Sequence, residues 1–206
     1  MAEDRRIVLA TRNPGKVREL REILADVVPE LGLELVSIRD FPEVGDVVEN
    51  GVTFAANATL KAVHAARSTG LPALADDSGL AVDVLGGSPG VFSARWAGRH
   101  GDDLGNLDLL LRQLADVPDE HRGAAFVCAA CLALPDGTAV VREGRFPGML
   151  TRFPRGDNGF GYDPILQVEG DQRTSAELPP EEKNAISHRG KAFRALADDL
   201  RAHLSS

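Results

Sequence analysis

The sequence predicts an α/β fold built on a mixed β-sheet with flanking helices, and three observations carry that expectation. Short apolar runs alternate with segments of helical period, the pattern of strands joined by crossover helices. Two longer apolar runs meet at Pro135-Asp136-Gly137, a hairpin signal, so part of the sheet is antiparallel. With 206 residues, 43% hydrophobic and 26% charged, the chain can bury one substantial core, over a single domain 1–206 or one domain folded as two lobes.

The elements follow in order. Residues 7–10 read as a short buried strand. Asn13 then suits a helix N-cap and Pro14 the first helical position. Val17, Leu20, Leu24 and Val27 recur at helical spacing, giving one amphipathic helix. Residues 33–38 form a second strand. Residues 53–68 form an alanine-rich helix whose Asn57, Lys61 and His64 fall at i, i+4 and i+7 on one polar stripe. Residues 73–75 are a short strand ending in Asp76-Asp77-Ser78-Gly79, and residues 86–90 are a loop. A helix with Leu104, Leu107, Leu111 and Leu114 on its buried side stops before Pro118. Residues 124–134 and 138–146 are the hairpin strands. Residues 147–164, dense in glycine and proline, read as loop, and 165–168 as a short strand. Pro179 and Pro180 start a short helix, and Phe193, Leu196 and Leu200 mark a closing one.

The composition excludes several classes. A formal charge of −8 argues against broad nucleic-acid binding, where a basic face supplies most of the affinity. No stretch approaches the roughly 20 apolar residues of a membrane span. Residues 1–6 are polar and show no secretory leader, which leaves the cytoplasm as the default location. Cys128 and Cys131 match C-x-x-C superficially, but three residues apart in a strand they face opposite sides. They read as buried small hydrophobes.

Four segments can carry chemistry. In the first, Thr11, Arg12, Asn13, Pro14, Gly15 and Lys16 lead from a strand into a helix N-terminus, where free N–H groups and the helix dipole favour an anion. A Walker A loop would need glycine where Ala10 stands and Ser or Thr where Val17 stands. A plain capped helix with a surface lysine fits the same residues. In the second, the adjacent carboxylates of Asp76 and Asp77 repel each other unless a cation or a proton transfer uses them. Mg²⁺ takes one or two carboxylates plus waters and phosphates, and Glu49 could be a further ligand. A solvated turn is the alternative. In the third, Phe160 stands between Gly159 and Gly161 with little local packing, a flat face on which a base could stack. Pro164 breaks the dinucleotide fingerprint there, and a tight turn tucked under the core is the alternative. In the fourth, Ser187 can cap the last helix and places His188 and Arg189 at its start, where positive groups oppose the dipole. A nucleotide would compensate them; an ordinary surface helix start is the alternative.

Taken together, five segments in order, LATRNPGK, ENGVTFAANATLKA, ADDSGLAVDVLGGSPGVFSARWAG, PRGDNGFGYDP and AELPPEEKNAISHRG, resemble the inosine/xanthosine triphosphate pyrophosphatase family. The resemblance implies an elongated mixed sheet in two lobes around a central active-site cleft, and a homodimer. It implies Mg²⁺-dependent hydrolysis of ITP, dITP and XTP to the monophosphate and pyrophosphate, removing them from the nucleotide pool. Thr11 through Lys16 would bind the triphosphate, with Lys61 assisting. Glu49 and Asp77 would hold Mg²⁺, and Asp77 would accept the proton of the attacking water. Ser78 would lie beside the substrate. Phe160, Gly161, Tyr162, Asp163, Lys183, His188 and Arg189 would enclose the base. Arg12 stands where a small residue is frequent in the family, and Trp96 where tyrosine is. A pyrophosphatase for modified pyrimidine nucleotides, a nucleotide sensor without turnover and an RNA-binding protein are the competing readings.

Overall fold

The computed structural model describes residues 5–205; the first four residues of the polar start and Ser206 lie outside them. In chain order the elements are β1 (Arg6–Leu9), α1 (Pro14–Ile23), α2 (Val27–Glu30), β2 (Glu34–Ser37), α3 (Phe54–Thr69), β3 (Ala73–Val82), α4 (Asp103–Gln113), β4 (Gly123–Ala133), β5 (Ala139–Leu150), β6 (Leu166–Val168), α5 (Pro180–Ile186) and α6 (His188–Leu204). The strands form one mixed sheet in the order β2-β1-β3-β4-β5-β6. β1 runs parallel to β2, with Arg6 opposite Glu34, and parallel to β3, with Val8 opposite Ala73. β5 and β6 are antiparallel, with Met149 opposite Gln167. The α/β class with a mixed sheet is the one the sequence predicts. Among the described residues no helix is long and apolar enough to cross a membrane.

The chain divides into two compact units, and β3, β4 and β5 each contribute residues to both. The first holds the residues up to Asp77, residues 128–144 and those from Arg189 on. Here the sheet is covered on both faces. Ile7, Leu9, Leu74, Cys128, Ala130 and Leu132 pack on one side against Leu20 of α1 and Phe193, Leu196 and Leu200 of α6. Val8, Ala73, Ala75, Ala129, Cys131 and Ala133 turn to the other side, against Ala58, Ala62, Ala65 and Ala66 of α3. Strand periodicity alone produces this division, because successive side chains alternate between faces. Cys128 and Cys131 therefore lie in different cores, both buried and both free thiols.

The second unit, residues 78–127 and 145–188, has its own core. Leu80 and Val82 pack with Leu107, Leu110 and Leu114, with Phe126 and Phe146, and with Tyr162, Ile165 and Leu178. The buried Arg122 donates to the carbonyls of Leu114, Leu150 and Thr151 at 2.6–3.0 Å. It thereby satisfies the carbonyl that ends α4.

Four expectations need correction. The helix expected to run through Val27 ends at Ile23, and α2 follows separately. Pro29 explains the break, since its ring would clash with the carbonyl of Ala25 in a continuous helix. Leu104 is 82% exposed, and the buried face of α4 uses Asn106, Leu107 and Leu110 instead. β5 continues through Pro147 to Leu150, within the segment expected to be loop, because β6 supplies it with an antiparallel partner. The fourth concerns the two acids. Asp76 and Asp77 lie in the middle of a ten-residue β3, not at the end of a short strand.

Candidate active site

That strand position decides the chemistry of the acid pair, because neighbours in a strand point to opposite faces. Asp76 faces the α1/α6 side. Its Oδ2 takes Lys16 Nζ at 2.9 Å and Arg189 Nε at 3.3 Å, and Arg189 also pairs with the buried Glu19. Burial works to raise the Asp76 carboxyl, but Lys16, Arg189 and Lys61 outweigh it and hold the group far below the usual carboxylate range. Asp76 is thus a committed anion among cations. Asp77 faces α3 and is 9% exposed. Its Oδ2 accepts from Asn57 Nδ2 at 3.0 Å, and its Oδ1 lies 3.4 Å from Lys61 Nζ. Here burial prevails over the pull of Lys61, Lys16 and Asn57, and the Asp77 carboxyl is raised. A carboxylate whose proton affinity has been lifted is a better base.

The polar stripe expected on α3 is real, and it supports the loop before the helix. Lys61 Nζ reaches Glu49 Oε2 at 3.2 Å as well as Asp77. Asn57 Oδ1 accepts the N–H of Gly51 at 2.8 Å, and the His64 ring bonds the Gly45 carbonyl at 2.9 Å. Thr53 caps the helix by accepting from Ala56 N–H. Burial alone would lower the Lys61 ammonium, but Asp77, Asp76 and Glu49 reverse this and raise it.

Glu49 and Asp77 converge on a single cation position, the one Lys61 occupies. Two carboxylates at one point could supply the protein ligands of a Mg²⁺ ion whose remaining ligands were waters and phosphate oxygens. Among the described residues no cluster of three or more His, Cys, Asp or Glu side chains forms a closed metal cage. The donor set suits a shared site with substrate.

The loop at the N-terminus of α1 differs from its expected form. Asn13 Oδ1 accepts from the N–H groups of Gly15 (2.9 Å) and Lys16 (3.3 Å), and Asn13 N–H bonds Thr11 Oγ1. Pro14 has no N–H to give. The amides expected to meet an anion already have partners, and the charge the loop offers is Lys16. Arg12 turns to the other loop, bonding Asp46 Oδ1 at 2.7 Å and the Val44 carbonyl at 2.7 Å, while Arg39 bonds its carbonyl.

Of the residues expected to enclose the base, Phe160, Gly161, Tyr162, Asp163, Lys183 and His188 lie in the second unit, and Phe160 and Lys183 bond Asp163. Its carboxylate takes Lys183 Nζ (2.7 Å), Ser175 Oγ (2.7 Å) and the Phe160 N–H (2.8 Å). Phe160 is half-buried, with Lys183 Nζ 5.8 Å from its ring centre. Gly159 has φ +81°, and a Cβ there would stand 2.1 Å from Asp163 Oδ2, so only glycine lets the turn close on the carboxylate. Gly161 donates to Asp103. Tyr162 is buried in the core, where its hydroxyl donates to the Ser93 carbonyl. His188 is buried and stacks on Phe126 at 5.0 Å. Ser78, next along β3 from Asp77, belongs to this unit and is half-buried.

Arg189 parts from this group. Its contacts are Asp76 and Glu19, so the charge expected to need a nucleotide at the start of α6 is compensated by two of the protein's own carboxylates. The sequence reasoning also passed over Asn57 as a functional residue. Its signal was present: a polar side chain four residues before Lys61 on an alanine-rich helix.

A family model described as the Ham1 family matches residues 7–199. The chain belongs to the Ham1 family. It is 66% identical over 196 residues to the dITP/XTP pyrophosphatase of Streptomyces coelicolor, covering 95% of this chain and 97% of that one. Against the enzyme of the same description from Mycobacteroides abscessus, identity is 55%, with 95% of both chains covered. Among solved structures, a HAM1 protein from Coxiella burnetii superposes with a TM-score of 0.85 at 45% identity, covering 96% of this chain and 98% of that one. The Staphylococcus aureus Ham1 protein gives 0.84 at 38% identity, with the same coverage. This Ham1 family member thus has the fold of its relatives along nearly its whole length.

Proposed function

We propose that this chain hydrolyses non-standard purine nucleoside triphosphates, dITP, XTP and ITP, to the monophosphate and pyrophosphate with Mg²⁺. The observation that carries the reading is the face of β3 turned to α3. There a buried carboxylate of raised proton affinity, Asp77, shares one cation position with Glu49, and Asn57 and Lys61 fix its two oxygens. Relatives more than half identical over nearly the full length bear the matching description, dITP/XTP pyrophosphatase.

In this reading Asp77 orients the attacking water and accepts its proton. Lys61 and Lys16 set positive charge against the phosphates, since an anionic substrate repels an anionic nucleophile. Glu49 and Asp77 would hold Mg²⁺, which supplies further neutralisation of the phosphate oxygens when bound. Thr11 to Gly15 shape the loop that presents Lys16. For the base, we assign the Phe160 face to stacking and the Lys183 ammonium to the 6-keto oxygen. Asp163 fixes both by bonding the Phe160 N–H and Lys183 Nζ. Assembly as a homodimer is part of the same proposal, and light scattering reads it.

The test is product identity. The chain is incubated with dITP, XTP, ITP, GTP or ATP, with and without Mg²⁺, and the products are separated by anion exchange. The expected result is monophosphate and pyrophosphate, from the 6-keto substrates ahead of ATP, and only with the metal. Diphosphate and orthophosphate would refute the bond assignment. Binding without turnover would make the chain a sensor.

A further inference from the structure

Asn57 is 2% exposed, and both ends of its carboxamide are used. Oδ1 accepts the Gly51 N–H at 2.8 Å, and Nδ2 donates to Asp77 Oδ2 at 3.0 Å. The orientation follows from the partners. A backbone N–H can only donate, so the carbonyl end must face Gly51 and the NH₂ end must face the carboxylate. Gly51 stands two residues after Glu49, on the loop whose carboxylate meets Lys61. One rigid, helix-mounted amide therefore ties together the strand that bears Asp77 and the loop that bears Glu49.

We propose that Asn57 is a positioning residue, whose amide holds the Asp77 carboxylate and the Glu49 loop in one register so that both acids face the same point. The inference rests on the pyrophosphatase reading and adds a residue to it. If Asn57 only filled the helix interface, bonding to Gly51 would be enough. The second bond, to Asp77 Oδ2, leaves Oδ1 as the oxygen nearest Lys61 and fixes the carboxylate plane. Gly51 is fitted to the bridge from the loop side: a Cβ there would lie 2.5 Å from Asn57 Oδ1 and 2.8 Å from Ala56 Cβ. Any side chain at 51 displaces the amide or the loop.

The experiment uses four full-length chains: wild type, Asn57→Ala, Gly51→Ala and the double variant. Misplacing a reacting group by about 1 Å can cost on the order of 10²-fold. Each single variant is expected to lose ~10- to 100-fold in kcat for dITP with KM within about threefold of wild type. The double variant should lose no more than the worse single, because both break one bridge. Gly51→Ala leaves Asn57 in place and serves as the test if Asn57→Ala does not fold. A second readout needs no turnover: the Gly51 amide proton, followed by NMR hydrogen exchange, should exchange at least about tenfold faster in Asn57→Ala. The proposal is overturned by kcat within threefold of wild type in the folded variants, by a loss carried in KM, by multiplicative losses in the double, or by unchanged Gly51 exchange. A wild-type chain that releases no pyrophosphate overturns the functional reading instead, and Gly51 exchange then decides the bridge by itself.

Discussion

At the scale of single residues, Asp76 and Asp77 share a peptide bond and almost nothing else. Asp76 sits among Lys16 and Arg189 with its carboxyl driven low, whereas burial raises the carboxyl of Asp77. Neutralising each should therefore have opposite consequences. Asp76→Asn takes from Lys16 and the buried Arg189 a carboxylate they share, leaving Arg189 with Glu19, and breaking a buried pair from one side costs about 3–5 kcal/mol. The expected result is a fall in Tm of roughly 6–20 °C for a chain of this size, read by calorimetry. Asp77→Asn removes a buried charge that the fold disfavours, so Tm should hold or rise. Its kcat should nevertheless drop by at least ~10²-fold, as for loss of a positioned base. Equal effects of the two substitutions on Tm would show that the two acids do not have separate roles.

At the scale of elements, α3 does two jobs on two stripes. Asn57, Lys61 and His64 hold the loop that carries Glu49, and Ala58, Ala62, Ala65 and Ala66 lie against the sheet. Alanine allows the helix axis to approach closely, which brings short and long side chains alike within reach of Asp77. Ala62 is fully buried, so Ala62→Leu overpacks the interface and should cost about 1–3 kcal/mol. A urea midpoint unchanged from wild type would show that this interface has slack. The spacing of both stripes was legible in the sequence, since 3.6-residue periodicity needs no tertiary information. What the polar stripe touches was not legible, because Gly45, Glu49 and Gly51 lie on a loop without a period.

At the scale of the whole molecule, the two thiols report on global opening. Burial raises Cys131 to about 11, and Cys128, beside the Asp76 carboxylate, is pushed up further. A thiol reagent at pH 8 is expected to label neither cysteine in the folded chain and both after unfolding. Labelling at native rates would mean that one core opens locally. The sign of the pH dependence follows from the same shifts. Above the ordinary thiol value of 9.0 the unfolded chain releases protons that the folded chain still holds. Stability is therefore complete below about 9 and declines as pH rises through about 11, which urea midpoints between pH 8 and 11 would record.

Sequence by itself determined the α/β class, the positions of most helices and strands, the opposite facing of Cys128 and Cys131, and the segments that hold the candidate site residues. Each of these follows from local rules: period 2 or 3.6, cap chemistry at Asn13, and turn residues at Asp136-Gly137. Only the tertiary structure decided that β3 runs on through Asp76 and Asp77, because turn-forming residues were overridden by the place of β3 within the sheet, beside β4, and by an ammonium for each carboxylate. It also decided that Arg189 is matched by Glu19 and Asp76, that Arg12 clasps the loop at Asp46, and that Asn57 spans Asp77 and Gly51. Partners up to 170 residues apart leave no mark on local periodicity, and their pairing is set by where folding brings the backbone.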